Sequence, residues 1–507
     1  MLLMQYRRGG GRGKSLGIIG QASWISSVIN LLNTIVGAGV LAMPLAMSHM
    51  GMVLGTIVIL WAGVTAGFGL YLQTRCAAYL DRGSASFFAL SQITYPNAAV
   101  IFDAAIAIKC FGVGVSYLII IGDLMPGVVR GFAAEDSITP FLVDRHFWVT
   151  AFMLVVIPLS FLRRLDSLKY TSVIALISIG YLVILVVYHF AANDTLPDTG
   201  YQTPLRIVGW ASPIAALSSF PVIVFAYTCH QNMFSILNEI ANNSHFRATS
   251  VVVCSIGLAA SIYILVAITG YLSFGNELGG NIVAQYAPSV SATIGRAAIV
   301  VLVMFSYPLQ VHPCRASVDA VLKWRPKSSK LKQKFTPSAT PSSSSSQQWR
   351  DDAPGVQAGK TRVSELSETR FAAITTGIII LSYIVAMTVS SLEAVLAYVG
   401  STGSTSISFI LPGLFYYKIS SPDSDLHQRL LKEEDDFDDE EGIDNGDEDQ
   451  EVSGLLSGMS ASGILRRTSL KNMRRKILRR LSLALAIYGM IVMVVCLITN
   501  TFFIVAH

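Results

Sequence analysis

The feature that most constrains this chain is a recurring apolar stretch about as long as a bilayer is thick. Crossing the hydrocarbon core takes roughly 20 helical residues, with a range of about 17–25. Stretches of that kind lie near 23–48, 51–74, 98–130, 147–162, 170–191, 210–235, 248–274, 292–312, 371–391, 395–417 and 481–505. The third is long enough to tilt or to run past the lipid. Only 14% of the residues are charged and 52% are hydrophobic, whereas soluble domains carry about 25% charged residues. A soluble domain exposing that much apolar surface would aggregate. The reading is an all-α polytopic membrane protein with about eleven transmembrane helices.

Charge fixes an orientation. With the N-terminus in the cytosol, the basic N-terminal tail, Arg75 and Arg82, the cluster of Arg163, Arg164 and Lys169, and Arg247 all fall on the cytosolic side, as do the loops after 312 and 417. That is the positive-inside pattern, and the short loop holding Arg163, Arg164 and Lys169 already supports it. Arg130, Arg145, Arg206 and Arg296 fall outside, Lys109 falls within a span, and the C-terminus is lumenal or extracellular. The sequon Asn193-Asp194-Thr195 lands in an outer loop, which makes Asn193 a glycosylation candidate. A second sequon, Asn242-Asn243-Ser244, lands on the cytosolic side and is expected to stay unmodified.

The organisation follows. Residues 1–22 form a cytosolic tail, 23–312 hold helices 1–8, 371–417 hold helices 9–10, and 481–507 hold helix 11. The loop 313–370 is rich in Ser, Pro, Gln and Lys. The loop 418–480 is acidic at 433–441 and basic at 466–480. Neither has apolar periodicity, so both are expected to be disordered. The basic stretch either lies on anionic headgroups or acts as a stop-transfer cluster. Glu451-x3-Leu455-Leu456 has the form of an acidic dileucine signal, whose partner would be a sorting adaptor. Arg466-Arg467-Thr468-Ser469 and Arg479-Arg480-Leu481-Ser482 have the form of basophilic kinase sites.

Several functions are argued against. The basic clusters lack interleaved aromatics, so no nucleic acid is expected as a partner. There is no Walker loop, no hydrolytic or redox motif, and no His/Cys spacing for a metal. No cofactor and no enzymatic activity are expected. The six cysteines avoid the outer loops, so no disulfide framework is implied. The first apolar stretch is too long for the h-region of a cleavable signal peptide and is interrupted by Asn30 and Asn33.

Two spans carry helix breakers. The first reads Asn33-Thr34-Ile35-Val36-Gly37-Ala38-Gly39-Val40-Leu41-Ala42-Met43-Pro44. Two glycines and a proline weaken it near mid-membrane. The sixth has Pro221, then Phe225-Ala226-Tyr227-Thr228-Cys229-His230-Gln231-Asn232 inside an apolar stretch. Irregular backbone in lipid is tolerated only where protein buries it or a cavity borders it. Breaks in the first and sixth spans, an odd number of spans apart, describe a five-plus-five inverted repeat with substrate at the midplane and one extra helix. A free amino acid suits such a place. The amides where a half-helix begins attract its carboxylate, and the carbonyls where the other half ends attract its ammonium. Gly37 and Gly39 let the backbone approach a ligand, or allow close helix packing as Gly63 and Gly67 do.

These residues resemble those of the amino acid/auxin permease family. The pattern is Asn33-x3-Gly37-x-Gly39-x-Leu41-x2-Pro44, with Ser116-Tyr117-Leu118 and Gly122-Asp123 in the third span, the run 225–232, and Pro313-x-Arg315 after the eighth. Within the family the chain is most similar to the fungal vacuolar amino acid transporters and, more distantly, to the animal sodium-coupled neutral amino acid transporters. The resemblance implies a LeuT-like fold and secondary active amino acid transport at a vacuolar membrane. Thr34, Gly37, Ala38, Gly39, Leu41, Phe225, Tyr227 and Thr228 are then the candidate substrate-binding residues. The coupling candidates are Asn33, Ser306, Lys109, Asp123 and His230. Asn33 and Ser306 match the family's sodium positions, while the fungal branch implies protons, which is the reading adopted. A sodium-coupled plasma-membrane importer and an amino acid sensor on the same fold are the alternatives.

The ionisable candidates have residue-level arguments of their own, since such groups inside spans are costly. Lys109 either places its ammonium in a cation site or snorkels to an interface. Asp123 either carries a proton or packs near the outer end of its span before Pro126. His230 either relays a proton or hydrogen-bonds the unwound backbone.

Overall fold

The computed structural model describes residues 20–81, 83–132, 139–162, 171–195, 204–241, 244–323, 367–424, 427–428 and 461–506. These are almost wholly helical. The order is α1 (Trp24–Ile35), α2 (Met43–Met50), α3 (Met52–Ala77), α4 (Phe87–Thr94), α5 (Ala99–Phe132), α6 (Arg145–Ser160), α7 (Thr171–Ala192) and α8 (Pro213–Ala226). After these come α9 (His230–Glu239), α10 (His245–Phe274), α11 (Ile282–Gln285), α12 (Val290–Lys323), α13 (Glu368–Thr388), α14 (Leu392–Val399), α15 (Leu411–Ile419) and α16 (Ala461–Ala506).

Among the described residues, nine helices are long and apolar enough to cross a membrane, and α1 with Ala38–Met50 makes a tenth, bent by 49°. The sequence reading counts 147–162 as a span, but α6 has 16 residues. At 1.5 Å per residue it reaches only about 24 Å. Side chains such as Val64, Ile101, Leu154, Ile177 and Val253 point outward and stay exposed, as a lipid-facing surface requires.

Water-side ends carry the expected caps. Ser86, Asp144, Ser212, Ser244 and Ser391 each accept a backbone N–H in the first turn of the helix that follows. Gly51 (φ 79°) joins α2 to α3, and Gly275 (φ 65°) ends α10. Both sit where an L side chain is strained.

The two broken helices lie at the centre. The halves α2 and α8 pack on each other, α10 packs on α1 and α2, and α5 packs along α12. The tenth span, Leu392–Ile419, is π-helical at Gly400–Ser404 and Ser406–Ile410. Thr405 fits that geometry by donating to the carbonyl of Gly400, five residues back, at 2.7 Å. A Cβ on Gly403 would sit 2.8 Å from the backbone nitrogen of Lys109, so glycine there lets the π segment touch the α5 backbone.

Two boundaries differ from the sequence reading. Helix α12 continues to Lys323, and α16 begins at Ala461, within the segment expected to be disordered. Basic residues at 466–480 extend a helix whose apolar part is already anchored, which spares them a costly nucleation.

Candidate functional site

Each broken helix loses its ladder in a few residues. The amide of Val36 still reaches the carbonyl of Leu32, but Gly37 turns to φ −142°, ψ −139°. The chain resumes as a 3-10 turn, Ala38–Ala42, and continues into α2. Gly37, Ala38 and Gly39 have backbone amides with no partner among the described residues. In the sixth span α8 ends at Ala226, and Thr228 returns its amide to the carbonyl of Phe225 and its hydroxyl to that of Val224. Helix α9 then starts at His230.

The breaks are joined. Tyr263 of α10, fully buried, places its hydroxyl 2.7 Å from the carbonyl of Ile35 and 2.8 Å from that of Ala226. These are terminal carbonyls of the two half-helices, which lack intrahelical partners. A Cβ on Gly39 would lie 2.5 Å from the Cβ of Ala226, so only glycine allows the contact. At their far ends α1 and α9 meet in a parallel bridge, with Ala22 N–H donating to Glu239 and Ala241 N–H donating to Ala22.

Below the breaks lies a cavity of about 640 Å³. That is within the usual range for small-molecule sites, about 300–1,000 Å³. Its walls include Asn33, Thr34, Gly37 and Ala38 from the first span, Lys109, Val113 and Tyr117 from α5, and Phe225 and Thr228 from the sixth span. Ser306 of α12 completes the deep part, with its hydroxyl donating to Leu302 at 2.7 Å. The mouth is lined by Asn30, Ser235, Glu239, Gln310 and His312, at the end of the bundle where α1 begins and α9 ends. Gly37 has open space where a side chain would project.

The opposite end is closed. Arg296 of α12, 3% exposed, donates to the carbonyls of Val283 (3.2 Å), Ala284 (3.4 Å) and Tyr286 around α11, and to Gly127 of α5 (3.4 Å). His49 Nδ1 lies 2.7 Å from the hydroxyl of Ser219 and 3.8 Å from the Glu393 carboxylate, linking α2, α8 and α14. Arg206 donates to the carbonyl of Ser48 at 3.2 Å.

Of the residues singled out in the sequence, Thr34, Gly37, Ala38, Phe225, Thr228, Asn33, Ser306 and Lys109 meet at this cavity. Gly39, Leu41, Tyr227 and His230 are buried outside its lining. The His230 Nε2 is 3.1 Å from the carbonyl of Ala66 and donates to it, and Gln73 donates to the His230 carbonyl at 3.3 Å. Its ring therefore braces the unwound segment against α3. Gly63 makes room for the ring of Tyr227. Asp123 sits near the outer end of α5 beside Arg145, at 3.3 Å, remote from the cavity. Asn193 is exposed just after α7, in a left-handed conformation (φ 54°) that asparagine tolerates. The segment from Glu451 to Leu456 lies outside the described residues, as do Arg163, Arg164 and Lys169.

Sequence reasoning missed Tyr263, Arg296 as a plug, and the polar mouth residues Gln310 and His312. The spacing of Gln310 four residues after Ser306 was a usable signal, because polar side chains at helical intervals mark a wetted face. Nothing local marks Tyr263, whose partners are 228 and 37 residues away.

Comparisons with known proteins fit this geometry. The family described as transmembrane amino acid transporter protein matches residues 20–434. Vacuolar amino acid transporter 5 of Schizosaccharomyces pombe is 43% identical over 410 residues, 80% of this chain and 87% of that protein. Vacuolar amino acid transporter 6 of Saccharomyces cerevisiae is 41% identical over 408 residues, 78% of this chain and 90% of that protein. The crystal structure of MhsT in complex with L-phenylalanine superposes with a TM-score of 0.52 at 12% identity, over 96% of this chain and 100% of that one. With its paired breaks and its LeuT-like fold, this chain belongs to the transmembrane amino acid transporter protein family.

Proposed function

We propose that this protein moves free amino acids across the vacuolar membrane, coupled to protons, by alternating access around the breaks in its first and sixth spans. The observation that carries the reading is a cavity open at one end, closed at the other, and walled by both breaks. The unpaired amides at Gly37 and Ala38 suit the substrate carboxylate, and the carbonyls ending α1 suit its ammonium. The vacuolar assignment rests on the two fungal relatives. With the N-terminus cytosolic, the cavity faces the cytosol and Arg296 plugs the lumenal side. The bridge between α1 and α9 lets those two half-helices swing as one unit.

A cation at the deep end is the competing arrangement, because Asn33 and Ser306 both line the cavity. Lys109 on the facing wall disfavours it by repulsion. Purified protein in proteoliposomes, given an imposed pH gradient and a panel of labelled amino acids, tests the reading. Flux that follows the pH gradient and survives complete removal of sodium supports it. Flux that requires sodium replaces the proton with sodium, and no flux for any amino acid removes the function.

A further inference from the structure

Lys109 is a buried amine with no ion-pair partner among the described residues. Its side chain is 4% exposed and borders the cavity. It makes no ion pair or hydrogen bond with any described residue. The titratable groups around it are the thiols of Cys110 on its own helix and Cys229 at the sixth-span break, with His230 beyond. From the tenth span, Gly403 packs its backbone against that of Lys109. From α12, Ser306, Gln310 and His312 face the same cavity. The one carboxylate on the lining, Glu239, is exposed at the mouth. An ammonium held at membrane depth without an anion is costly, and such groups normally mark a substrate or ion path.

Lys109, Val113 and Tyr117 stand at helical spacing on one face of α5, across the cavity from the first-span break. Resting on the transport reading above, we infer that Lys109 is the counter-charge for an acidic substrate side chain and sets the order of preference as acidic over neutral over basic amino acids. The charge count gives the ranking. The backbone breaks accommodate the α-carboxylate and α-ammonium, which sum to zero. A neutral amino acid therefore leaves the lysine uncompensated, a side-chain carboxylate cancels it, and a basic side chain doubles the charge. Weak screening in an enclosed site sharpens these differences.

Labelled L-glutamate, L-glutamine and L-lysine test this in proteoliposomes holding the full chain, since the first two differ by one charge at nearly equal shape. Wild type is expected to favour glutamate over glutamine in kcat/KM by at least about tenfold, with lysine last. Lys109→Gln is expected to lower the glutamate-to-glutamine ratio of kcat/KM by about 30-fold or more, and Lys109→Arg to keep the glutamate preference. A wild type that prefers glutamine or lysine overturns the inference. So does a Lys109→Gln protein that loses glutamate and glutamine equally. Should Lys109→Gln fail to fold, the wild-type ranking decides alone. Robust glutamine flux without glutamate flux would sink the role of Lys109 and leave amino acid transport standing, whereas silence across all amino acids would remove both.

Discussion

The hydroxyl of Tyr263 donates to the carbonyl of Ile35 at 2.7 Å. The same hydroxyl lies 2.8 Å from the carbonyl of Ala226. One proton on α10 is thus shared between the ends of two half-helices from opposite repeats. Removing it leaves both carbonyls buried without a donor. Leaving a buried polar group unpaired costs about 1–3 kcal/mol. We expect Tyr263→Phe to lower the thermal midpoint of the detergent-purified protein and to slow transport, with little change in expression. A midpoint and a rate equal to wild type would show that the tie is dispensable.

Gly37 and Gly39 are two residues apart but play opposite parts. A side chain at Gly37 meets nothing and would stand in the cavity, whereas one at Gly39 would strike Ala226. Gly37→Leu is therefore expected to fold normally and to block transport. Gly39→Ala is expected to cost about 1–3 kcal/mol of stability, as overpacking does. Thermal melts paired with uptake separate the cases. Equal destabilisation of both variants would contradict this division.

How far these parts were legible in the sequence depends on the range of the interactions. Spans of apolar residues and their basic flanks are local properties, so the membrane architecture could be read directly. The breaks at Gly37 and at 227–229 were also readable, because glycine, proline and polar runs act on their own helix. Which polar residues share a cavity was harder. His230 follows the break, as a ligand would, yet it turns to Ala66 and braces α3. Asp123 has its counter-charge on α6, at Arg145, which sequence distance conceals. Tyr263 and Arg296 sit in helices that look ordinary in isolation. Their roles arise from carbonyls supplied by other segments.

Arg296 closes the far end through four carbonyls on α11, its flank and α5. Its planar fork of donors suits several acceptors at once, and lysine cannot reproduce it. We expect Arg296→Lys to loosen the plug. A cysteine placed at Ala38, which lines the cavity, should then react faster with an impermeant thiol reagent added on the α11 side. The background chain has the native cysteines replaced. Unchanged labelling from that side would mean that the plug holds without the guanidinium.

Asp123 and Arg145 form an ion pair between α5 and α6 at 3.3 Å, and Arg145 also donates to the carbonyl of Val389 at 3.2 Å. The pair fastens α6 to the end of α5 near the start of the tenth span. A proton carrier must meet the pathway, and Asp123 is absent from the cavity wall. Asp123→Asn should therefore retain the pH dependence of transport. It should lower stability by about 1 kcal/mol, the upper end for a partly exposed ion pair. Asn at this position removes the charge while keeping the shape, so a structural tie predicts a shifted melting temperature with an unaltered pH profile of flux. A flattened pH profile in a protein that melts like wild type would instead make Asp123 the carrier and place the coupling step at the α5–α6 contact.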